Sequence, residues 1–417
     1  MARLSRMKSL EFIKISGVLF LFSSVHAVAD EFSSAGHVKL SYFHQRFPSD
    51  SFYGVPVPDS GDDTQLRGRL NLKYVTGEFE GVLEGIGGVQ NVAGRPINNL
   101  SVLGVNPGDD TAVFDLSHLG DPDGVSLFGR IDRASINWVS PDAAIRIGRM
   151  ALTWGQGNTF QILDIVNPFP PATLDPEYKP GSDMIYGQKS IGGDAQFEFA
   201  FVPRRDATSS DLEYDQSTVA VRGTKRFEDL ESELQTTVAH HYNRGLLGIG
   251  YNFPWQGAIV RGDLLIKEKS TGGVAVSGIA NIDKSWELFS RNWYGSLEYF
   301  HSGVGANSNQ IESFSQDLSE SLLRGDLYTV GTDYVSLGLR QELTPLINLS
   351  QLVIQGLDPV GTLMQLKVTY DLREDLVLMG AYTLGLGGSD SEFQRYTQGG
   401  TVIERGDSIF VQMGWYF

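Results

Sequence analysis

Beyond residue 30 the chain alternates between apolar and polar positions. Leu66, Gly68, Leu70, Leu72 and Tyr74 share one parity, and Arg67, Arg69, Asn71 and Lys73 share the other. Ala195, Phe197, Phe199 and Phe201 alternate with Asp194, Gln196 and Glu198, and Met364, Leu366, Val368 and Tyr370 with Gln365, Lys367, Thr369 and Asp371. Successive strand side chains point to opposite faces, so each segment predicts a strand with one apolar and one polar wall. Such segments fall at about 36–46, 64–75, 78–89, 130–139, 143–152, 183–189, 194–202, 216–226 and 231–242. They continue at about 245–253, 257–267, 274–282, 292–301, 327–342, 347–356, 361–371, 376–386 and 406–417. The count is about eighteen, or sixteen if a weak pair merges.

Periodicity alone fits a soluble sandwich, with polar walls outside, or a membrane barrel, with polar walls inside. Three features favour the barrel. The strands run to roughly ten residues, long for a soluble sheet and right for a tilted membrane strand. Short and long connections alternate. Aromatic residues sit near strand ends, as at Trp138, Tyr242, Trp255, Trp293 and Tyr370. The prediction is an all-β fold, a transmembrane antiparallel barrel with short periplasmic turns and long extracellular loops. The loops are 47–63, 90–129, 153–182, 302–326 and 387–405, while 283–291 is long for a turn. Within 302–326, Ile311, Phe314, Leu318 and Leu322 recur at near-helical spacing between a cap at Asn309 and a stop at Gly325.

The first residues have a different character. Arg3, Arg6, Lys8 and Lys14 precede an apolar run from Ile15 to Phe22, and Ala27-Val28-Ala29 supplies small residues for cleavage. This reads as a signal peptide over 1–29, leaving 30–417 as the barrel, because the run is too short to span a bilayer. Cleavage takes away four basic groups and one acidic group, so the net charge falls from −17 to −20. That balance argues against nucleic acid as a partner. The absence of cysteine removes disulfides, thiolate metal sites and a catalytic thiol. His240 and His241 lie on opposite strand faces, and the glycine runs at 85–88 and 385–388 precede no helix. No metal or cofactor is expected.

By parity, Arg67, Arg69, Lys73, Arg133, Arg146, Arg222, Arg226 and Arg261 project inward, as do Glu80, Glu84, Glu198, Glu233, Asp263 and Glu298. A charged inner wall implies water inside, and opposed signs orient polar solutes. The basic strands are expected to face loop acids at Asp109, Asp110, Asp115, Asp121 and Asp123. The loop at 153–182 is the expected constriction, because Pro168, Pro170, Pro171, Pro176 and Pro180 stiffen it. Its neighbourhood supplies Arg149, Trp154, Asp164, Asn167, Tyr178, Lys179 and Asp183; a rigid external loop is the alternative.

The ending carries a resemblance. Ile409, Val411, Met413, Trp415 and Phe417 place an apolar residue at every second position up to a terminal aromatic. This resembles the last strand of Gram-negative outer-membrane β-barrel proteins, which implies that Met413, Trp415 and Phe417 are read by the barrel assembly machinery. The segments GRMALTWG (148–155), DIVNPFPP (164–171) and DPEYKPGSDM (175–184) resemble porin-like and alginate-export-like barrels. The resemblance implies a chain exported to the outer membrane, in contact with its lipid and compatible with an oligomer. The expected function is a channel for small polar or charged solutes, not an enzyme. A scaffold or receptor barrel housing a partner subunit is the alternative, with an outer-membrane hydrolase third.

Overall fold

In a computed structural model, the described residues are 31–47, 51–52, 55–56, 59–94, 112–114, 117–120, 125–206, 209–388, 390–398 and 401–417. The expected signal peptide, and the acids at 109, 110, 115, 121 and 123, lie outside them.

Eighteen strands make the barrel. They are β1 (Glu31–Arg46), β2 (Ser60–Thr76), β3 (Phe79–Gly94), β4 (Val125–Val139), β5 (Ala143–Met150) and β6 (Ser182–Ile191). Next come β7 (Ala195–Arg205), β8 (Leu212–Phe227), β9 (Ser232–His241), β10 (Arg244–Trp255), β11 (Ala258–Glu268) and β12 (Val274–Leu288). The last are β13 (Arg291–His301), β14 (Asp333–Thr344), β15 (Ile347–Asp358), β16 (Val360–Arg373), β17 (Leu376–Gly387) and β18 (Asp407–Tyr416). Each pairs antiparallel with its sequence neighbour, and β1 pairs with β18, which closes the sheet. Closure satisfies every edge, the condition for strands in lipid. The terminal residue completes the seam: Gly36 N–H donates to the Phe417 carbonyl at 2.8 Å, and Phe417 N–H donates back at 3.0 Å. A short strand, Ser117–Gly120, pairs with β4 as well.

Burial is inverted relative to a soluble protein. Leu40, Leu66, Ile136, Ile147, Phe197, Val221, Leu297 and Val411 are exposed, whereas Lys39, Arg67, Arg69, Asp132, Glu198, Asp263 and Glu298 are buried. The apolar parity therefore forms the outer wall and the charged parity the inner one, as a barrel in hydrocarbon requires.

Both termini leave one rim, where all connections are short. The opposite rim carries the long ones. The expected long turn at 283–291 is replaced by a tight one, because β12 continues to Leu288 and Phe289 and Ser290 turn with φ of 54° and 55°. Trp286 and Leu288 keep the alternation going through residues that read as a connection. The strand expected from 327 begins only at Asp333, because 327–332 is loop packed over the lumen. The loop helix, α1 (Gln316–Arg324), is shorter than its spacing suggested. Ser315 caps it, its side chain accepting from Leu318 N–H, and Gly325 stops it with φ of 73°. Tyr242, one of the aromatic residues near strand ends that favoured a membrane barrel, is instead buried, with the guanidinium carbons of Arg204 and Arg324 at 4.6 Å and 4.3 Å from its ring centre.

Candidate functional site

Residues 151–181 enter the barrel and run around the inner wall without regular structure. The acidic wall holds the first half through its backbone. Glu298 on β13 accepts N–H groups from Asn158 at 2.7 Å, Thr159 at 3.0 Å and Phe160 at 2.7 Å, and is only 1% exposed. Asp263 on β11 accepts Gln156 N–H at 2.9 Å, and Glu198 on β7 accepts the Trp154 indole N–H at 3.3 Å. The bonds to Glu298 and Asp263 are charge-assisted and satisfy backbone that would otherwise be left unpaired in the interior. Phe160 stacks on Phe300, 4.5 Å between ring centres, beside Tyr334. Glycines on β10 allow the approach: a Cβ on Gly248 would lie 2.6 Å from Leu163, and one on Gly250 would lie 2.9 Å from Gln156.

The basic wall holds the second half through side chains. Asp175 accepts from Lys39 Nζ at 2.9 Å, from Arg67 at 2.7 Å and from Gln412 at 3.3 Å. Glu177 also pairs with Lys39 and accepts from the Tyr416 hydroxyl at 3.0 Å. The Arg69 guanidinium lies 3.8 Å from the centre of the Tyr178 ring, and Arg133 donates to the Lys179 carbonyl. Burial raises the Asp175 pKa, but Lys39 and Arg67 outweigh it, so the carboxyl titrates below its ordinary range.

Lys179 ties the ends of the segment together. Its ammonium donates to the Leu152 carbonyl and to Asp164 at 2.6 Å and 2.5 Å. The three stretches that looked porin-like, 148–155, 164–171 and 175–184, thus meet at one buried ion pair. Burial pushes Asp164 up to about 6 against the pull of Lys179, and the same burial lowers Lys179.

The lumen gathers many of the residues singled out from the sequence, in different ways. Arg67, Arg69, Arg133, Glu198, Asp263 and Glu298 touch the segment or its partners, and Arg69 also holds Glu84 and, at 2.8 Å, Asp132. Arg222 pairs with Glu198 at 3.2 Å. Lys73 pairs with Glu80 and Arg226 with Glu233, away from the segment, while Arg261 pairs with Asp283 and donates to Asn281, which holds the Gln156 carbonyl of the segment. Arg146 lies 5.8 Å from the centre of the Tyr186 ring. Trp154, Asp164, Tyr178 and Lys179 are inside, and Asn167, with φ of 54°, donates to Ser182. Arg149 and Asp183 lie elsewhere. They are register partners on the face of Ile147 and Ile185, joined at 2.9 Å and 3.0 Å, and they hold the backbone of Phe114.

Sequence reasoning missed His37, Lys39, Asp132, Asp175 and Glu177. Lys39 shares the parity of His37 and Ser41 in a strand that had been recognised, so its inward direction was readable; its partners were not. Among the described residues, acids that pair with the basic strands are Asp132, Asp175 and Glu177, supplied by the wall and the inserted segment.

Two further loops close over this layer. Ser391 and Phe393 are buried, Phe393 among Phe160, Phe300 and Tyr334, and Glu392 accepts Val330 N–H at 2.6 Å. Ile311 and Leu318 pack with Val330 and Tyr396 above them. Among the described residues no group of three His, Cys, Asp or Glu side chains is arranged to hold a metal.

This architecture, a closed 18-stranded barrel with an inserted loop, is that of the outer-membrane porins. It is similar to OccK9 (OpdG) of Pseudomonas aeruginosa, with a TM-score of 0.57 and 10% identity over 93% of this chain and 99% of that one. OccK2 (OpdF) of the same organism, solved with glucuronate, gives 0.54 and 10% over 93% and 98%. A BenF-like porin from Pseudomonas fluorescens Pf-5 gives 0.52 and 9% over 93% and 99%. No protein-family model matches the chain, and no curated protein matches it in sequence.

Proposed function

We propose that the chain is an outer-membrane channel through which small polar or charged solutes diffuse, with residues 151–181 narrowing the path. The observation that carries this is the inward fold of that segment, held by Glu298, Asp263 and Glu198 on one wall and by Lys39 and Arg67 on the other. A wet, charged lumen narrowed by a fixed loop selects solutes by size and charge. The apolar outer wall faces lipid, and Met413, Trp415 and Phe417 on its exposed face are available to the assembly machinery. On this reading the chain is exported to the Gram-negative outer membrane after cleavage of residues 1–29. The similar structures are of channels, which supports transport over catalysis. The chain's own loop occupies the space that a scaffold barrel would give to a partner.

Recording from the purified full-length protein in a planar bilayer tests the reading. Discrete steps with a linear current–voltage relation are expected. A bilayer that stays sealed after verified insertion overturns it.

A further inference from the structure

Below the inserted segment, toward the rim of the termini, four adjacent strands border an open cavity of about 470 Å³. Its size is that of a small-ligand site. Ser285, Tyr294 and Arg340 form one row of register partners across β12, β13 and β14, and Glu342 and Asn348 pair across β14 and β15 in the next. Tyr294 lies four residues from Glu298 on β13, so the cavity is about 14 Å along the strand from the segment's anchor.

Two opposite charges in this cavity stand side by side without joining. Arg340 and Glu342 share the inner face of β14 two residues apart, which sets their Cα atoms about 7 Å from each other. Each is engaged elsewhere. The Arg340 guanidinium lies 5.5 Å from the centre of the Tyr294 ring, and Glu342 accepts from Asn292 Nδ2 at 2.6 Å. Among the described residues no ion pair or hydrogen bond is found for the Arg340 guanidinium, and Glu342 retains a second carboxylate oxygen. Ser285 and Asn348, which line the same cavity, add groups that both donate and accept.

We infer that this cavity is a binding site for a small zwitterion of the amino-acid class, with its carboxylate on Arg340 and its ammonium on Glu342. An α-amino acid carries its carboxylate and its ammonium on one carbon, so it offers each of the two charges its opposite in a single small molecule. A simple anion leaves Glu342 facing it at close range, and a simple cation meets Arg340, so both bind less well. The inference rests on the channel reading, in which a solute reaches this cavity after passing the inserted segment.

Saturation-transfer NMR on the detergent-solubilised full-length protein tests it, with L-alanine, acetate and methylammonium as probes. Alanine is expected to bind at least tenfold more tightly than either single-charge probe. Arg340→Gln and Glu342→Gln, each verified as folded by heat-modifiable mobility, are each expected to weaken alanine at least tenfold. Acetate or methylammonium binding as tightly as alanine, or alanine binding that is absent or unchanged in both variants, overturns the site. Binding is read without conductance, so a sealed bilayer alongside normal alanine binding refutes the channel and leaves the site standing.

Discussion

Glu298→Ala separates the inserted segment from its strongest wall contact. Glu298 is buried and accepts three consecutive backbone N–H groups, so truncation leaves those donors without their charged acceptor. Breaking a buried charge-assisted arrangement of this kind costs about 3–5 kcal/mol. Water entering the emptied space rehydrates the N–H groups, which favours the lower end of that range. At about 1.4 kcal/mol per factor of ten, the detached state becomes roughly 10²–10³ times more populated. The chain contains no cysteine, so a single reporter reads this cleanly. Thr159→Cys puts a thiol beside the anchor, at a position 8% exposed. Its maleimide labelling rate in the folded barrel is expected to rise by about two orders of magnitude or more when Glu298→Ala is added. Labelling rates within twofold of each other would show that Glu298 does not hold the segment.

Four other outcomes follow from the same geometry. Burial lifts Asp164 to about 6 in the folded chain, above the ordinary range of an aspartate. The folded loop therefore binds this proton more tightly than the unfolded chain does, so stability from this group is gained as pH falls through 6 and is lost as pH rises through it. Thermal unfolding between pH 8 and 5 should show that gain, and Asp164→Asn should flatten it. Leu70→Arg sets a cation against lipid and should cost about 2–4 kcal/mol in denaturant titrations of the barrel. Arg69→Leu is also costly, because it strips Asp132 and Glu84 of a buried partner; if it unfolds like the parent chain, that network is not structural. Deleting Phe417 removes both backbone bonds to Gly36 and the terminal aromatic, and should lower the yield of assembled barrel in outer-membrane fractions.

Most of the barrel was legible because a strand in lipid must alternate along its whole length, and that pattern is local. Leu66 to Tyr74 and Ile409 to Phe417 show it plainly, and the observed outer face follows both. Boundaries failed where local chemistry misled. Trp286 and Leu288 belong to a strand that runs on to a turn at Phe289 and Ser290, neither of which favours the left-handed backbone it adopts there. Tyr328 and Val330 alternate like strand residues, yet Tyr328 donates to the Pro168 carbonyl from a loop. For the charges, direction was readable and partnership was not. Alternation turns Lys39 and Arg67 inward, but their common partner Asp175 is more than 100 residues away in sequence. Only the path of 151–181 through the lumen brings them together.

The central claim is that this segment narrows a solute path through the barrel. Replacing residues 158–176 with a Gly-Ser bridge removes the part that crosses the lumen and leaves all eighteen strands. Single-channel recording of the shortened and parent chains, both folded by heat-modifiable mobility, measures the effect. A higher conductance with weaker discrimination between cations and anions is the predicted result. Conductance and selectivity equal to the parent's would contradict the account.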